Sequence, residues 1–141
     1  MELTVSRILV VDDEANLRLI MGRQLEDAGH DVTVAVGGLE AVEKLANEQF
    51  DVIVSDMKMP RLDGMGLLAR AKDLAPETEF IILTGHGNME NAVQAFKTGN
   101  VFDYLVKPLR DIRELDTAVS QALEHKHLRS ENRRMSRELE L

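Results

Sequence analysis

The chain has 141 residues, which suits one globular domain with an appendage. It contains no cysteine, which excludes disulfides and thiolate metal sites, argues against zinc and favours a reducing compartment. Its net charge of -8 would repel a phosphate backbone, so we expect no direct nucleic-acid contact by this segment.

Hydropathy argues against a membrane protein. No apolar run approaches the ~20 residues that cross a bilayer. Residues 1–7 lack the basic and then apolar layout of a signal peptide. We therefore expect a soluble, cytoplasmic protein with no membrane partner.

The first half of the chain alternates short apolar runs with segments of helical period. Residues 8–11 form an apolar run that ends at an acidic triplet, which predicts a buried strand. A helical pattern follows from Ala15 to Ala28 and stops at Gly29. Valines at positions 32, 34 and 36 then predict a more exposed strand. A second helix follows through positions 39, 42 and 45, and a third strand, 52–54, ends at Asp56.

The second half repeats this alternation. A loop over 59–64 precedes a helix through positions 67, 68 and 71, and the run 80–83 predicts a strand ending at Thr84. A helix through positions 89, 93 and 96 stops at Gly99. The last predicted strand covers 102–106, and a final helix begins near Asp111 and continues toward the end.

This order of elements predicts the fold class. Strands that alternate with helices favour a parallel sheet covered on both faces, because crossover helices bury the strands. We therefore expect an α/β fold with a doubly wound, five-stranded parallel sheet and five helices, the last of them extended.

Polar residues gather where the predicted strands end. In doubly wound sheets, functional sites form beyond the carboxyl ends of the strands. Taken singly, each residue has an ordinary explanation, because Asp often ends a strand and Lys-Pro often begins a turn. The residues at these ends are Asp12, Asp13, Asp56, Thr84 and Lys107.

The three carboxylates of this set predict a cation, since they would otherwise repel one another. Mg²⁺ suits an oxygen-rich site, and we expect Asp13 and Asp56 as direct ligands with Asp12 acting through a water. The carboxylate of Asp56 can attack phosphorus. Lys107 would neutralise charge on the transferring group, and the hydroxyl of Thr84 would donate to a second oxygen.

Several short strings resemble the receiver domains of bacterial response regulators. The resemblance covers residues 5–122 and implies the flavodoxin-like strand order 2-1-3-4-5. It also implies phosphoryl transfer from a sensor histidine kinase to Asp56. The strings that carry it are Val11-Asp12-Asp13-Glu14, Asp56 with Met59-Pro60 and Asp63-Gly64, Thr84-Gly85, and Asp103-Tyr104-Leu105-Val106-Lys107-Pro108.

The resemblance assigns further roles. It implies that the main-chain carbonyl of Lys58 is a third protein ligand for Mg²⁺ and that the Lys107-Pro108 peptide is cis. It couples Thr84 to Tyr104 as a switch, read out on the face formed by the fourth helix, the last strand and the fifth helix. We also expect the side chains of Lys58 and His86 to influence phosphate lifetime; the alternative is a solvated rim.

Residues 123–141 read as a helical linker. Leu128, Asn132, Met135 and Leu139, here called the C-terminal seam, follow a spacing of four, three and four residues, which favours a parallel homodimer. The alternative is a solvated or frayed helix, because so short a coiled coil is seldom stable alone.

The string Thr84-Gly85-His86-Gly87 and the Arg- and Glu-rich extension are similar to regulators of the nitrogen-regulation (NtrC) class. In that class the receiver controls an ATPase that activates sigma-54 transcription. No Walker loop is present in the sequence, so we expect a receiver and linker from a longer protein whose output domain is missing.

Three other functions are weaker. An aspartate-based phosphatase would place a second Asp where Lys58 stands, and a nucleotide-binding loop would need Gly where Glu90 stands. A purely structural interaction domain would not need the full polar set. His125 and His127 are two residues apart on a helix and point to different sides, so we expect both to be solvated.

Overall fold

The apolar runs fold into one parallel sheet in the computed structural model, which describes residues 5–140. The expected end of the linker at Leu141 lies outside that range. Within it, the sheet has five strands in the order β2-β1-β3-β4-β5, and every neighbouring pair is parallel. The strands are β1 (Arg7–Val11), β2 (Asp31–Ala35), β3 (Val52–Asp56), β4 (Glu79–Thr84) and β5 (Asp103–Val106).

Five α-helices connect or follow these strands, and the predicted fold class is confirmed. A short 3₁₀ helix, His86–Asn88, precedes the fourth α-helix. The helices are α1 (Ala15–Asp27), α2 (Gly38–Asn47), α3 (Gly64–Leu74), α4 (Met89–Lys97) and α5 (Arg113–Glu140).

The core has two layers because successive side chains of a strand point to opposite faces of the sheet. In β1, Leu9 and Val11 pack toward the layer that contains α2, α3 and α4. Ile8 and Val10 pack toward the layer that contains α1 and α5. The central strands therefore carry continuous apolar runs, with polar residues only at their ends, as expected for a parallel sheet with helices on both faces.

Several predicted boundaries differ from the structure by one or two residues. Val36 lies outside β2, because the β1–β2 register ends at Val11 and Ala35, and its side chain is 52% exposed. Phe102 precedes β5, although its amide donates to the carbonyl of Phe80 at 2.8 Å. The last helix begins at Arg113, whose amide donates to the side chain of Asp111 at 2.9 Å.

Helix α5 continues well beyond the hydrophobic core. Its last core residue is Ala122, and the helix ends at Glu140. We call residues 5–122 the body of the protein and residues 123–140 the extension of α5. Its 28 residues span ~42 Å at 1.5 Å per residue. None of the helices in residues 5–140 is long and apolar enough to cross a bilayer.

Candidate metal centre

Three carboxylates meet at the carboxyl end of the sheet. Strands β1 and β3 are neighbours, with Val11 paired to Ser55, so the residues that follow them emerge side by side. One carboxylate oxygen from each of Asp12, Asp13 and Asp56 lies within 4.8 Å of the others. Asp12 and Asp56 are buried, whereas Asp13 is exposed to solvent. We call these residues the acidic cluster.

Lys107 is a cation beside the acidic cluster. Its Nζ lies 3.1 Å from Oδ2 of Asp56 and 3.8 Å from Oδ2 of Asp12. Its amide donates to the carbonyl of Thr84 at 2.8 Å, and the Lys107-Pro108 peptide is cis. Burial lowers the pKa of the Lys107 ammonium, but the hydrogen bond to Asp56 and the attraction of Asp12 outweigh burial and raise it.

Asp12 is the member of the acidic cluster whose negative charge is least well compensated. Its Oδ1 accepts the amide of Glu14 at 2.8 Å, but its buried Oδ2 has no hydrogen-bond partner. Burial raises the pKa of the Asp12 carboxyl, the bond from Glu14 lowers it, and repulsion from Asp56 raises it further. Three carboxylates beside one ammonium suit a divalent cation with a preference for oxygen, and the bare Oδ2 could accept a water of such an ion.

Two contacts shape the ends of the strands around the cluster. Arg18 in α1 donates from Nη1 to the carbonyl of Asp12 at 2.8 Å, which ties the end of β1 to the helix. A side chain at Gly64 would place Cβ 2.6 Å from the carbonyl oxygen of Asp56. The loop after β3 can therefore lie against Asp56 only with Gly at this position. The sequence motif Asp-Gly pointed to Gly64, but no pattern identified Arg18.

The expected switch residues lie on the neighbouring strands β4 and β5. Thr84 is buried at the end of β4, and its hydroxyl donates to the carbonyl of Gly85 at 3.1 Å. Tyr104 in β5 is half-buried and packs edge-to-face on Phe96, with 5.8 Å between ring centroids. The side chains of Lys58 and His86 are both exposed to solvent.

The C-terminal seam has no cover from the body of the protein. Leu128 is 57% exposed, Met135 56% and Leu139 86%, and Asn132 is also exposed. His127 is exposed, as expected. His125 is exposed as well, but its Nδ1 also lies 2.6 Å from Oε2 of Glu79, a contact that was not expected. That contact joins residues 46 positions apart, so helical spacing alone could not reveal it.

Comparison with known proteins agrees with this geometry. A family model described as "Response regulator receiver domain" matches residues 8–120. The DNA-binding transcriptional regulator NtrC of Escherichia coli K12 is 40% identical over 118 residues, covering 84% of this chain and 25% of the relative. The chain thus spans about a quarter of the length of that relative.

Two solved structures have the same fold. A response regulator receiver domain protein from Clostridium thermocellum superposes with a TM-score of 0.81 at 38% identity, covering 88% of this chain and 98% of that one. NtrX from Brucella abortus superposes with a TM-score of 0.85 at 31% identity, covering 94% of this chain and 30% of NtrX. Coverage of 94% reaches beyond the body into the extension of α5.

Proposed function

Since the chain belongs to the response regulator receiver domain family, we propose that Asp56 accepts a phosphoryl group from a sensor histidine kinase in a magnesium-dependent reaction. The observation that carries this proposal is the acidic cluster with Lys107 beside it. Asp56 is the cluster member in the central strand β3 and the one that contacts the ammonium at 3.1 Å. Its carboxylate is thereby held next to a charge that can compensate an incoming phosphoryl group.

The donor set fits Mg²⁺. We propose that Asp13, Asp56 and the main-chain carbonyl of Lys58 bind the ion directly, and that Asp12 holds one of its waters. The unpartnered Oδ2 of Asp12 supports that role, because a buried carboxylate oxygen requires a donor. When bound, the ion would offset charge on the phosphoryl oxygens.

The chemistry of Asp56 is a displacement at phosphorus. An oxygen of Asp56 forms a bond to phosphorus while the bond from phosphorus to the donor's imidazole nitrogen breaks, and the electron pair leaves with that nitrogen. Lys107 neutralises part of the charge during transfer and pairs with the phosphorylated side chain afterwards. A proton on the other ring nitrogen lets the donor leave as neutral imidazole.

A groove beside Lys107 supports docking of the kinase. It lies between α1 and the loop after β5, with Leu17 and Ile20 on one wall and Leu109 and Ile112 on the other. The side chain of Ile20 is 54% exposed. We propose that an apolar helical surface of the kinase occupies this groove, which would bring its phosphohistidine to Asp56.

The output of the switch follows from Thr84 and Tyr104. The Thr84 hydroxyl now donates to the carbonyl of Gly85. We propose that it exchanges this acceptor for a phosphoryl oxygen and that Tyr104 then moves into the space Thr84 vacates. Only such a difference in contacts can shift a preexisting equilibrium. The test is NMR of the Tyr104 ring with and without beryllofluoride. The ring should change its environment in the wild type but not in Thr84→Ala. The same change in both proteins would contradict this coupling.

The relatives suggest what the switch controls. We propose that residues 5–122 are the receiver of a regulator of the NtrC class and that 123–141 lead to an ATPase that acts with sigma-54. The exposed C-terminal seam supports a homodimer, with Asn132 setting the register. Sedimentation of wild type and Met135→Glu, with and without beryllofluoride, tests the dimer. A purely monomeric wild type under both conditions would exclude it.

The proposed reaction is tested by labelling with acetyl phosphate and Mg²⁺, followed by intact-mass and peptide mass spectrometry. We expect one phosphoryl group, on the peptide that contains Asp56, and none in Asp56→Ala or after chelation of Mg²⁺. Unlabelled wild type would favour a purely structural interaction domain. Label on another residue would refute the assignment of Asp56.

A further inference from the structure

The extension of α5 has a basic stripe that faces the body of the protein. His125, Arg129 and Arg133 recur every four residues, and Lys126 flanks the first of them. Residues at this spacing share one face of a helix. The sequence therefore contained the pattern, but not the surface that it meets.

That surface lies at the amino-terminal end of the sheet, opposite the acidic cluster. Asp51 precedes β3, Glu79 begins β4, and Glu77 lies in the turn before β4. The amide of Glu79 donates to the carbonyl of Asp51 at 3.0 Å, so two of the acids are neighbours in the sheet. Each of the three acids directs at least one carboxylate oxygen to α5, whereas Oδ2 of Asp51 accepts the amide of Arg7 at 2.8 Å.

Four side chains of the stripe contact these acids. Lys126 Nζ lies 2.9 Å from Oδ1 of Asp51, and Arg133 Nη1 lies 2.6 Å from Oε1 of Glu77. Arg129 Nη2 reaches both Oε1 of Glu79 at 2.8 Å and the carbonyl of Glu77 at 3.1 Å. We call these contacts, together with that of His125 to Glu79, the α5 latch.

Glu79 is the part of the α5 latch that makes it more than a set of surface ion pairs. Its side chain is only 5% exposed, and its described side-chain partners, His125 and Arg129, both belong to α5. The ring of His125 also packs on Phe102, with 5.2 Å between centroids. Moving α5 away would leave a buried carboxylate without a partner, which is unfavourable.

We propose that the α5 latch holds the extension against the body as a rigid arm and sets the direction in which the C-terminal seam faces. At 3.6 residues per turn, the seam lies about 100° around the helix from the latch residues. The exposure of Leu128 and Met135 agrees with a seam turned away from the body. Most helical stability in proteins comes from tertiary contacts, so the contacts of the latch stabilise the helix as far as Arg133.

The α5 latch does not depend on the proposed phosphorylation, and the experiment uses the unphosphorylated full chain. The test variant is Arg129→Gln with Arg133→Gln, which removes three contacts to the body and retains good helix formers. Its control is Arg134→Gln, which makes the same change at a residue whose described partner is Glu131 in its own helix. All three positions lie in the extension, so the body still folds.

Amide hydrogen exchange is the first measurement. In the wild type we expect protection through residue 133 and fraying beyond it. The double variant should exchange about fivefold faster over residues 124–133, the change expected when weak ion pairs are removed and the buried carboxylate of Glu79 loses one of its two partners. Arg134→Gln should match the wild type. Equal exchange in the double variant and in Arg134→Gln would overturn the proposal.

Spin labels measure how rigidly the extension of α5 is held relative to the body. The chain has no cysteine, so the substitutions Asn47→Cys and Ser136→Cys provide two unique labelling positions. The distance distribution should be narrow in the otherwise wild-type chain and broad in the double variant; identical distributions would refute a latch. A separate measurement distinguishes this proposal from the proposed function. Acetyl phosphate should still phosphorylate Asp56 in both proteins. Failure of that phosphorylation would refute the proposed function and leave the latch unaffected.

Discussion

The ammonium nitrogen of Lys107 lies 3.1 Å from Oδ2 of Asp56, although the two residues are 51 positions apart in the chain. The contact exists because β3, β4 and β5 are consecutive neighbours in the sheet, so their carboxyl ends share one edge. The same nitrogen lies 3.8 Å from Oδ2 of Asp12. Lys107 therefore partly neutralises two carboxylates of the acidic cluster before any ligand binds.

Lys107→Gln should have opposite effects on metal binding and on phosphorylation. Removing the ammonium should strengthen Mg²⁺ binding, because a competing cation is lost from the acidic cluster. The same change should slow labelling by acetyl phosphate on the order of 10²-fold, as expected when a charge that stabilises the transferring group is removed. Calorimetry and the labelling rate measure the two effects. Lys97→Gln, at an exposed position, serves as control. If Lys107→Gln weakened Mg²⁺ binding as well as slowing labelling, the proposed role of the Lys107 ammonium would be contradicted.

Asp12→Asn should stabilise the metal-free protein at neutral pH, because burial and repulsion from Asp56 raise the pKa of the Asp12 carboxyl. In the folded state this carboxyl binds its proton at a higher pH than in the unfolded state. Its destabilising effect is therefore present above the raised pKa and is relieved as the pH falls through it. The advantage of Asp12→Asn should shrink accordingly.

The free energy of unfolding in urea, measured without Mg²⁺ across a pH series, gives this difference directly. Asp27→Asn makes the same change at an exposed position and should show little effect. With Mg²⁺ present, the wild type should gain more stability than Asp12→Asn. An advantage of Asp12→Asn that stays constant with pH would show that ionisation of Asp12 is not its cause.

Gly64→Ala should destabilise the protein by ~2 kcal/mol or more, in the range of other overpacked positions. The new Cβ would meet the carbonyl oxygen of Asp56 at 2.6 Å and Cα of Met57 at 2.8 Å. Backbone atoms cannot rotate away, so the loop must shift. Gly87→Ala, where a Cβ meets nothing within 4 Å, is the matched control in urea unfolding. Equal stability of the two variants would mean that the close approach is not required.

Ile20→Glu should separate docking of the kinase from the chemistry of Asp56. A charge in the apolar groove should slow transfer from a phosphorylated histidine kinase by about tenfold or more, whereas labelling by acetyl phosphate should stay unchanged. Leu74→Glu introduces the same charge at another exposed leucine, on α3. If both variants accept phosphate from the kinase equally well, the groove is not the docking surface.

Lys58→Ala and His86→Ala should shorten the half-life of phosphorylated Asp56. Both side chains are exposed, and we propose that they restrict the approach of water to phosphorus. The decay of label after removal of acetyl phosphate measures the half-life. Lys97→Ala, remote from the predicted rim, controls for the loss of a charge. Unchanged half-lives would assign both residues to an ordinary solvated rim.

Local patterns predicted the framework of this site accurately. The run 8–11 and the run 52–54 became central strands, and the acids after them emerged together because parallel neighbours end at the same edge. Boundaries were less certain where side chains are exposed. Val36 continued the alternation of β2 but has no partner in β1, since pairing depends on the neighbouring strand and not on local period.

By itself, the sequence determined the order of strands and helices, the family and the identity of the acidic cluster, because the period of apolar residues reports burial along a single element. Only the tertiary structure decided that Arg18 supports Asp12 and that the basic stripe of α5 meets Glu77 and Glu79. These contacts join distant segments, and the packing angle of a helix on a sheet depends on the whole interface. A basic residue at every fourth position is therefore visible in the chain, whereas the acidic partners of these residues are defined only once the sheet has formed.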